Sequence, residues 1–510
     1  MKPPSRLQRD LLQKTLALQI SSPLPFPLPL HPLEESTIMY HRAILWATLG
    51  MFFFTHQAFL PLYAEEPKTA EPAVAAAEGK RLLVIVTPQQ FEKELAPFVE
   101  HKQKELAVEV ATLESILAQN PGVDDPEKLK HFLYQAWHDR HAHYVLLVGD
   151  AEVMPVRYMV LDRVTPAAFD YSFYPSDLYY ADVAKDDGSF DDWNAQKDDY
   201  HAKYFGEVRG EKNKNDPMNY DQIHYRPQLA LGRWPVNTVE EVKTVIAKTI
   251  GFENRIATQP TADCRAALIC NSGWIDARGA MDAEASWLPK SWKYEKRYYA
   301  DPGAPANTPA PDHKEVLCLL NQGVDLMLHA GHGDGGQWEQ SLHLRDYDKI
   351  KNAGHLPVMM SIGCDTARFA TLPPYEPYLD VNGVEHKGTY AGEVFDAPPT
   401  PPVVYEKGKY NPIGLGKQLL RAGPNGAVAY IGCNTGGQPC GLTLMDGFTK
   451  SWGLSPSARL GDCWKDAVTY YYQEQHLDTL KPDPGWYPAS IFFQAMKYMV
   501  YGDPSLRLPH

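Results

Sequence analysis

From residue 81 onward the chain alternates short, unbroken apolar runs with longer stretches in which apolar residues recur every three or four positions. The run 81–87 (RLLVIVT) is of the kind that fills a strand buried on both faces of a parallel sheet. Residues 89–104 follow with helical spacing, 107–110 predict a second strand, 126–139 a second helix, and 144–148 (YVLLV) a third strand running into Gly149-Asp150. A polar stretch rich in Asp, Gly and Asn at 181–225 interrupts this rhythm and reads as an insertion. A strand at 229–232 and an amphipathic helix at 237–254 close the first half, and Gln259-Pro260-Thr261 marks a subdomain boundary. The second half repeats the alternation, with strands at 265–270, 296–299, 324–328, 357–362 and 427–431 and helices at 311–322 and 413–421. Strands alternating with helices predict an α/β fold with a mostly parallel sheet, and reactive side chains at the carboxyl ends of strands.

The first 80 residues do not share the pattern. Residues 39–64 begin with His41 and Arg42, continue through an apolar run at 43–54 and end in Leu62-Tyr63-Ala64. These are the three parts of a secretory signal peptide cut after Ala64, with Met39 as the expected start. The apolar run, about 12 residues, is short of the roughly 20 that cross a bilayer. The mature form is therefore expected without a stable membrane span and outside the cytoplasm, whether periplasmic, secreted or on the cell surface. The expected domains are a leader at 1–64, a flexible Ala/Pro/Glu linker at 65–79, an N-terminal α/β subdomain at 80–260 and a catalytic α/β subdomain at 261–510.

Composition narrows the partners. A formal charge of -14 argues against a nucleic-acid surface. Asp186, Asp187, Asp191 and Asp192 in the first insertion offer hard oxygen ligands for a structural calcium ion, off the EF-hand spacing; a solvated loop is the other reading. All seven cysteines lie beyond residue 263, and in an oxidising compartment an odd number leaves at least one thiol free. No CxxC pair suggests zinc.

Two strands end in reactive groups. One runs into His329-Ala330-Gly331-His332-Gly333-Asp334-Gly335-Gly336, the other into Gly363-Cys364-Asp365. A thiol nucleophile needs a neighbouring base and backbone N–H groups aimed at the developing oxyanion. Cys364 as nucleophile, His332 as acid and base, and the Gly333 N–H as oxyanion donor meet those needs. The rivals are weaker: H-x-x-H-x-D matches no common metal motif, the glycine run lacks the Lys-Ser/Thr of a P-loop, and no G-x-S-x-G occurs. A His and a Cys at strand ends, taken alone, fit a structural role as well.

The chain resembles the gingipain family of cysteine peptidases, in the caspase-like clan. The resemblance rests, in order, on YVLLVGDAEVMP (144–155), SDLYY (176–180), LALGRWP (229–235), GHGDGGQW (331–338), LPVMMSIGCDTARF (356–369), GAVAYIG (426–432) and YGDPSLRL (501–508). It implies a caspase-like three-layer α/β fold of two side-by-side subdomains, a Cys364–His332 pair, and Trp338 as a substrate-binding residue, with no cofactor required. The family's acid that orients the histidine has no clean counterpart in NSGWIDARGAMDAE (271–284); Asp276 is the expected substitute, and Asp282 or Glu284 the expected specificity acid. The Pro-rich insertion at 372–411, with Tyr375, Tyr378 and Asp380, is expected to wall or cover the cleft. The function expected is a secreted endopeptidase acting on proteins or peptides, after basic residues if a first-loop acid lines the pocket. The alternatives are a silent binding or surface-assembly protein and a transpeptidase using the same acyl-enzyme.

Overall fold

Apolar runs with no polar alternation can only be satisfied by cover on both faces, and that dictates the architecture. The computed structural model describes residues 79–160, 173–202, 218–395, 399–481 and 488–510. The expected leader, the linker through residue 78, and residues 203–217 and 396–398 of the two insertions lie outside the described residues. Ten strands form the main sheet: β1 (Leu82–Thr87), β2 (Ala107–Thr112), β3 (Ala142–Val148), β4 (Ala230–Trp234), β5 (Arg265–Cys270), β6 (Lys293–Tyr298), β7 (Leu326–Ala330), β8 (Val358–Ser361), β9 (Ala429–Cys433) and β10 (Tyr498–Tyr501). Their order across the sheet is β2-β1-β3-β4-β10-β9-β8-β7-β5-β6.

The direction of the strands reverses once. β10 runs parallel to β4 but antiparallel to β9, and every other neighbouring pair is parallel. The main sheet is continuous across the expected boundary at residue 260: β1–β4 and β10 point one way and β5–β9 the other, so the carboxyl ends of these two sets face opposite edges. Only the edge carrying the ends of β5, β7, β8 and β9 holds the candidate nucleophile.

Alternate residues of each strand feed two apolar clusters, Val84 and Val86 one, Leu83 and Ile85 the other. The first is covered by α3 (Asp125–Arg140), α5 (Arg278–Trp287), α8 (Leu442–Leu454) and α9 (Leu460–Glu474). The second is covered by α1 (Ala96–Gln103), α4 (Val239–Ile256), α6 (His313–Gln322) and α7 (Leu415–Arg421); the remaining helix named here, α2 (Leu113–Gln119), follows β2. Three of these helices, α3, α4 and α6, start where side chains satisfy their first amides. Asp124 and Asp312 accept the Glu127 and Glu315 N–H groups, and Thr238 with Glu241 forms a capping box.

The first insertion is anchored rather than merely solvated: Trp193 and Tyr225 are fully buried. Its four acids do not converge. Asp186 pairs with Arg226 and His224, Asp187 accepts from Ser189, Asp191 is buried against the Trp193 amide, and Asp192 binds Lys197. Among the described residues no group of three or more His, Cys, Asp or Glu side chains gathers as a metal site, so the calcium expectation finds no ligand set there.

Candidate active site

Neighbouring strands deliver the two reactive side chains. β7 and β8 pair in parallel with Ser361 opposite His329, and His332 and Cys364 each stand three residues further on, at one sheet edge. Beyond β7 the chain forms a tight hairpin, Gly333–Asp334 against Gln337–Trp338, with Gly335 and Gly336 at its tip.

Glycines allow the loops to meet. A Cβ on Gly333 would lie 2.5 Å from Thr366 Cγ2 and 3.0 Å from the Cys364 carbonyl oxygen. One on Gly363 would lie 3.2 Å from both the Gly331 carbonyl oxygen and the Gly333 nitrogen. The loops therefore touch backbone to backbone. Asp334 and Gln337 close the hairpin, so Gly333 and Trp338 form the next, non-hydrogen-bonded pair. The Gly333 N–H is therefore not spent on the Trp338 strand, and the Gly333 nitrogen lies beside Gly363.

Cys364 Sγ accepts the Gly437 N–H at 3.3 Å, and its own S–H reaches the Gly437 carbonyl at 3.7 Å. Gly437 belongs to the loop leaving β9, which is laced to the Cys364 turn by Asp365 N–H to Thr435 O and Ala367 N–H to Cys433 O, both 2.9 Å. Burial pushes the Cys364 thiol above its ordinary range; the Gly437 amide and the Lys497 ammonium oppose that shift, and Asp365 adds to it. Lys497 is buried, with Nζ 3.5 Å from the Gly436 carbonyl.

His332 Nε2 lies 2.9 Å from the carbonyl oxygen of Gly273, in the loop leaving β5. A carbonyl only accepts, so this nitrogen carries the hydrogen and Nδ1 keeps the basic lone pair. Gly273 sits at φ +91°, a left-handed conformation that suits glycine. Asp276, the expected orienter, is occupied elsewhere: Arg278 holds its carboxylate at 2.7 and 2.8 Å and is itself held by Asp301 at 3.1 Å. A backbone carbonyl stands where the carboxylate was expected.

A buried layer supports both loops from below. His329 Nδ1 lies 2.8 Å from Ser361 Oγ, which accepts the Gly363 N–H at 3.1 Å. The His329 ring stacks on Trp338 at 4.5 Å, and Trp338 Nε1 donates to Tyr430 at 2.8 Å. Burial pushes His329 down to about 3, so it stays neutral. Trp338 is wholly buried and props the hairpin; it cannot touch substrate as expected.

The first-loop acids separate. Residues from Arg278 form α5 rather than loop. Asp282 pairs with Lys296 at 2.7 Å and accepts the Tyr298 hydroxyl. Glu284 is buried between α5 and α8, accepting from Thr449, and burial pushes its pKa up to about 8. A neutral, buried acid cannot serve as a specificity charge. The second insertion does form a wall, enclosing with the hairpin tip an open cavity of about 780 Å³ beside Asp365. All seven cysteines are free thiols; Cys264, Cys270, Cys433 and Cys463 are buried and Cys318 is exposed.

Sequence reasoning missed Gly273 and Gly437 because they act through main-chain atoms that every residue carries. Their one signal was a glycine just past a strand end.

The profile of peptidase family C25 matches residues 76–509. The chain belongs to peptidase family C25. It is thus a member of a cysteine-type peptidase family, as the sequence resemblance implied. The C25 chain shares its fold with the Arg specific cysteine proteinase gingipain R, at TM-score 0.56 and 19% identity, over 85% of this chain and 79% of that one. The complex of the pro- and mature domains of RgpB from Porphyromonas gingivalis matches at TM-score 0.54 and 19% identity, over 84% and 79% of the two chains. Among curated relatives, gingipain R2 of P. gingivalis is 24% identical over 308 residues, 58% of this chain and 33% of that protein. Gingipain R1 is 23% identical over 316 residues, 60% and 26%. The C25 chain therefore spans about a third or less of these relatives' length. Among its described residues no helix is long and apolar enough to cross a membrane.

Proposed function

We propose that this C25 chain is an extracytoplasmic cysteine endopeptidase with Cys364 as nucleophile and His332 as general acid and base. The carrying observation is the backbone contact of the two strand-end loops, with a carbonyl on His332 Nε2 and an amide on Cys364 Sγ. His332 Nδ1 takes the thiol proton as Sγ attacks the scissile carbonyl, and charge develops toward the N–H groups of Gly333 and Cys364. The imidazolium then protonates the leaving amine; a water gives its proton to Nδ1 as its oxygen attacks the thioester, and the C–S bond breaks to free the acid while Sγ recovers that proton. Burial raises the thiol above its ordinary range, and in this reading the His332 base offsets that cost by taking the proton.

Cleavage after basic residues rests on Asp282 in this reading. Its carboxylate is half-exposed, and so exposed a pair as Asp282–Lys296 is worth about 0–1 kcal/mol, which a substrate Lys or Arg can displace. The segment at 39–64 motivates the extracytoplasmic location. The test is a peptide-library digest by purified protein beginning near Glu65, read by mass spectrometry. Cleavage lost in both Cys364→Ala and His332→Ala is expected, and Asp282→Asn should lose the basic preference. Unimpaired cleavage by Cys364→Ala would end the proposal; products capped by an added amine would make the enzyme a transpeptidase.

A further inference from the structure

The apolar surface of this molecule is unevenly spread. Of eight large apolar side chains exposed among the described residues, five lie between 381 and 413: Val381, Val384, Tyr390, Val394 and Ile413. Two of them, Tyr390 at 67% and Ile413 at 65% exposure, line the 780 Å³ cavity beside Asp365. With Tyr375, Tyr410, Pro377 and Pro412 they make its wall aromatic and apolar. The charges at its floor are matched internally. Arg368 bridges Asp365, at 3.3 Å, and Glu376, while Lys409 pairs with Glu385 at 3.2 Å. Within the lining itself two acids, Asp365 and Glu376, meet two bases, Arg368 and Lys409, so the lining carries no net charge.

Position ties this cavity to the chemistry. Asp365 follows the nucleophile directly, and Gly335 is the tip of the hairpin that begins at His332's neighbour. The Gly335 carbonyl accepts the Leu415 N–H at 2.8 Å, so the cavity lies on the side of the sheet covered by α7. The first-loop acids lie on the other side, with α5. The wall is itself braced: His386 lies between Asp380 at 3.0 Å and Glu393 at 2.8 Å, and the amides of Thr389 and Tyr390 bind the carbonyls of Pro374 and Tyr375.

We propose that this cavity is a substrate subsite that takes one bulky aromatic or aliphatic side chain of the peptide being cut, with Tyr390 and Ile413 as its specificity-determining residues. The inference rests on the endopeptidase reading above. An extended peptide advances about 3.3–3.6 Å per residue, so a side chain entering beside Asp365 belongs to a position within about three residues of the scissile bond. An exposed apolar wall with neutralised charges discriminates by burial, which gives roughly tenfold or more between a large apolar and a small polar side chain.

The test compares library digests by the wild-type protein, Tyr390→Ser/Ile413→Ser, Tyr390→Phe, and Leu454→Ser as an exposed apolar control on α8. The wild type should enrich Phe, Tyr, Leu or Met at one fixed position near the cut. The double variant should lose that enrichment about tenfold in kcat/KM, while Tyr390→Phe and Leu454→Ser keep it. Cys364-dependent cleavage with the same profile in the double variant overturns the subsite alone. No Cys364-dependent cleavage by the wild type overturns the endopeptidase reading and the subsite with it.

Discussion

Replacing Gly333 by alanine puts a methyl group in place of one hydrogen at the point where the two strand-end loops touch. The new Cβ would sit 2.5 Å from Thr366 Cγ2, where ordinary contact begins at 3.4 Å, so about 0.9 Å must be found by moving one loop against the other. Rotating Thr366 gives only part of it, because the Cys364 carbonyl oxygen at 3.0 Å and the Gln337 carbonyl oxygen at 3.1 Å are main-chain atoms. Overpacking of this kind costs about 1–3 kcal/mol in stability, which a domain of this size can bear. Catalysis should suffer more. A displacement near 1 Å between nucleophile and base costs about 100-fold in rate, or about 2.7 kcal/mol on the barrier. Gly333→Ala is therefore expected to lower kcat/KM about 100-fold on the best library peptide while its thermal unfolding remains cooperative. Thr366→Ser deletes Cγ2 but keeps the hydroxyl that donates to the Gly363 carbonyl at 3.1 Å, so the double variant should recover part of the loss. Activity of Gly333→Ala within threefold of wild type would refute the backbone contact as the basis of the site.

Asp276→Asn should change kcat/KM by less than about threefold, because Gly273 rather than Asp276 holds His332; a loss above 100-fold would return the orienting role to the carboxylate. Thiol titration of the denatured, unreduced protein should count seven thiols per chain, and on the native protein Cys318 should react with Cys364, since it is exposed; a count of one would mean three disulfides. Lys497→Met removes a positive charge that favours the Cys364 thiolate, so the midpoint of the Cys364 alkylation rate against pH should move upward, from a value already raised by burial. A midpoint that stays put or falls would remove Lys497 from the site's electrostatics.

The strands that carry the pair were legible because a strand buried on both faces leaves an apolar run with no polar interruption. The runs at 324–328 and 357–362 located β7 and β8 to within about two residues, and with them His332 and Cys364. The stretch at 271–284 was not legible. Gly273, Asp276 and Gly279 break the helical pattern, and only Ala277 and Met281 are wholly buried apolar anchors at its start, so α5 read as an acid-bearing loop. Tertiary packing made it a helix and turned Glu284 inward against Thr449. Trp338 was misread for another reason. A tryptophan two turns of chain past a histidine suits a cleft wall or a core equally, and the neighbours that decide, His329 and Tyr430, come together only when three strands align.

Strand β10 has a consequence in time. Its residues leave the ribosome after all nine other strands, yet they are wedged between β9 and β4, at the seam where strand direction reverses. The Lys497 carbonyl receives the Asn434 N–H at 2.8 Å, three residues before the amide that contacts the thiol. At about 5–20 residues per second, the interval between synthesis of Cys364 and of residue 501 is roughly 7 to 27 seconds. Throughout it the nascent chain carries a cysteine whose flanking loop lacks the strand that braces it. Order of synthesis alone thus postpones the assembled site until the final stretch of the described chain is made, and a truncation before residue 498 should yield a protein with its nucleophile present and its chemistry disarmed.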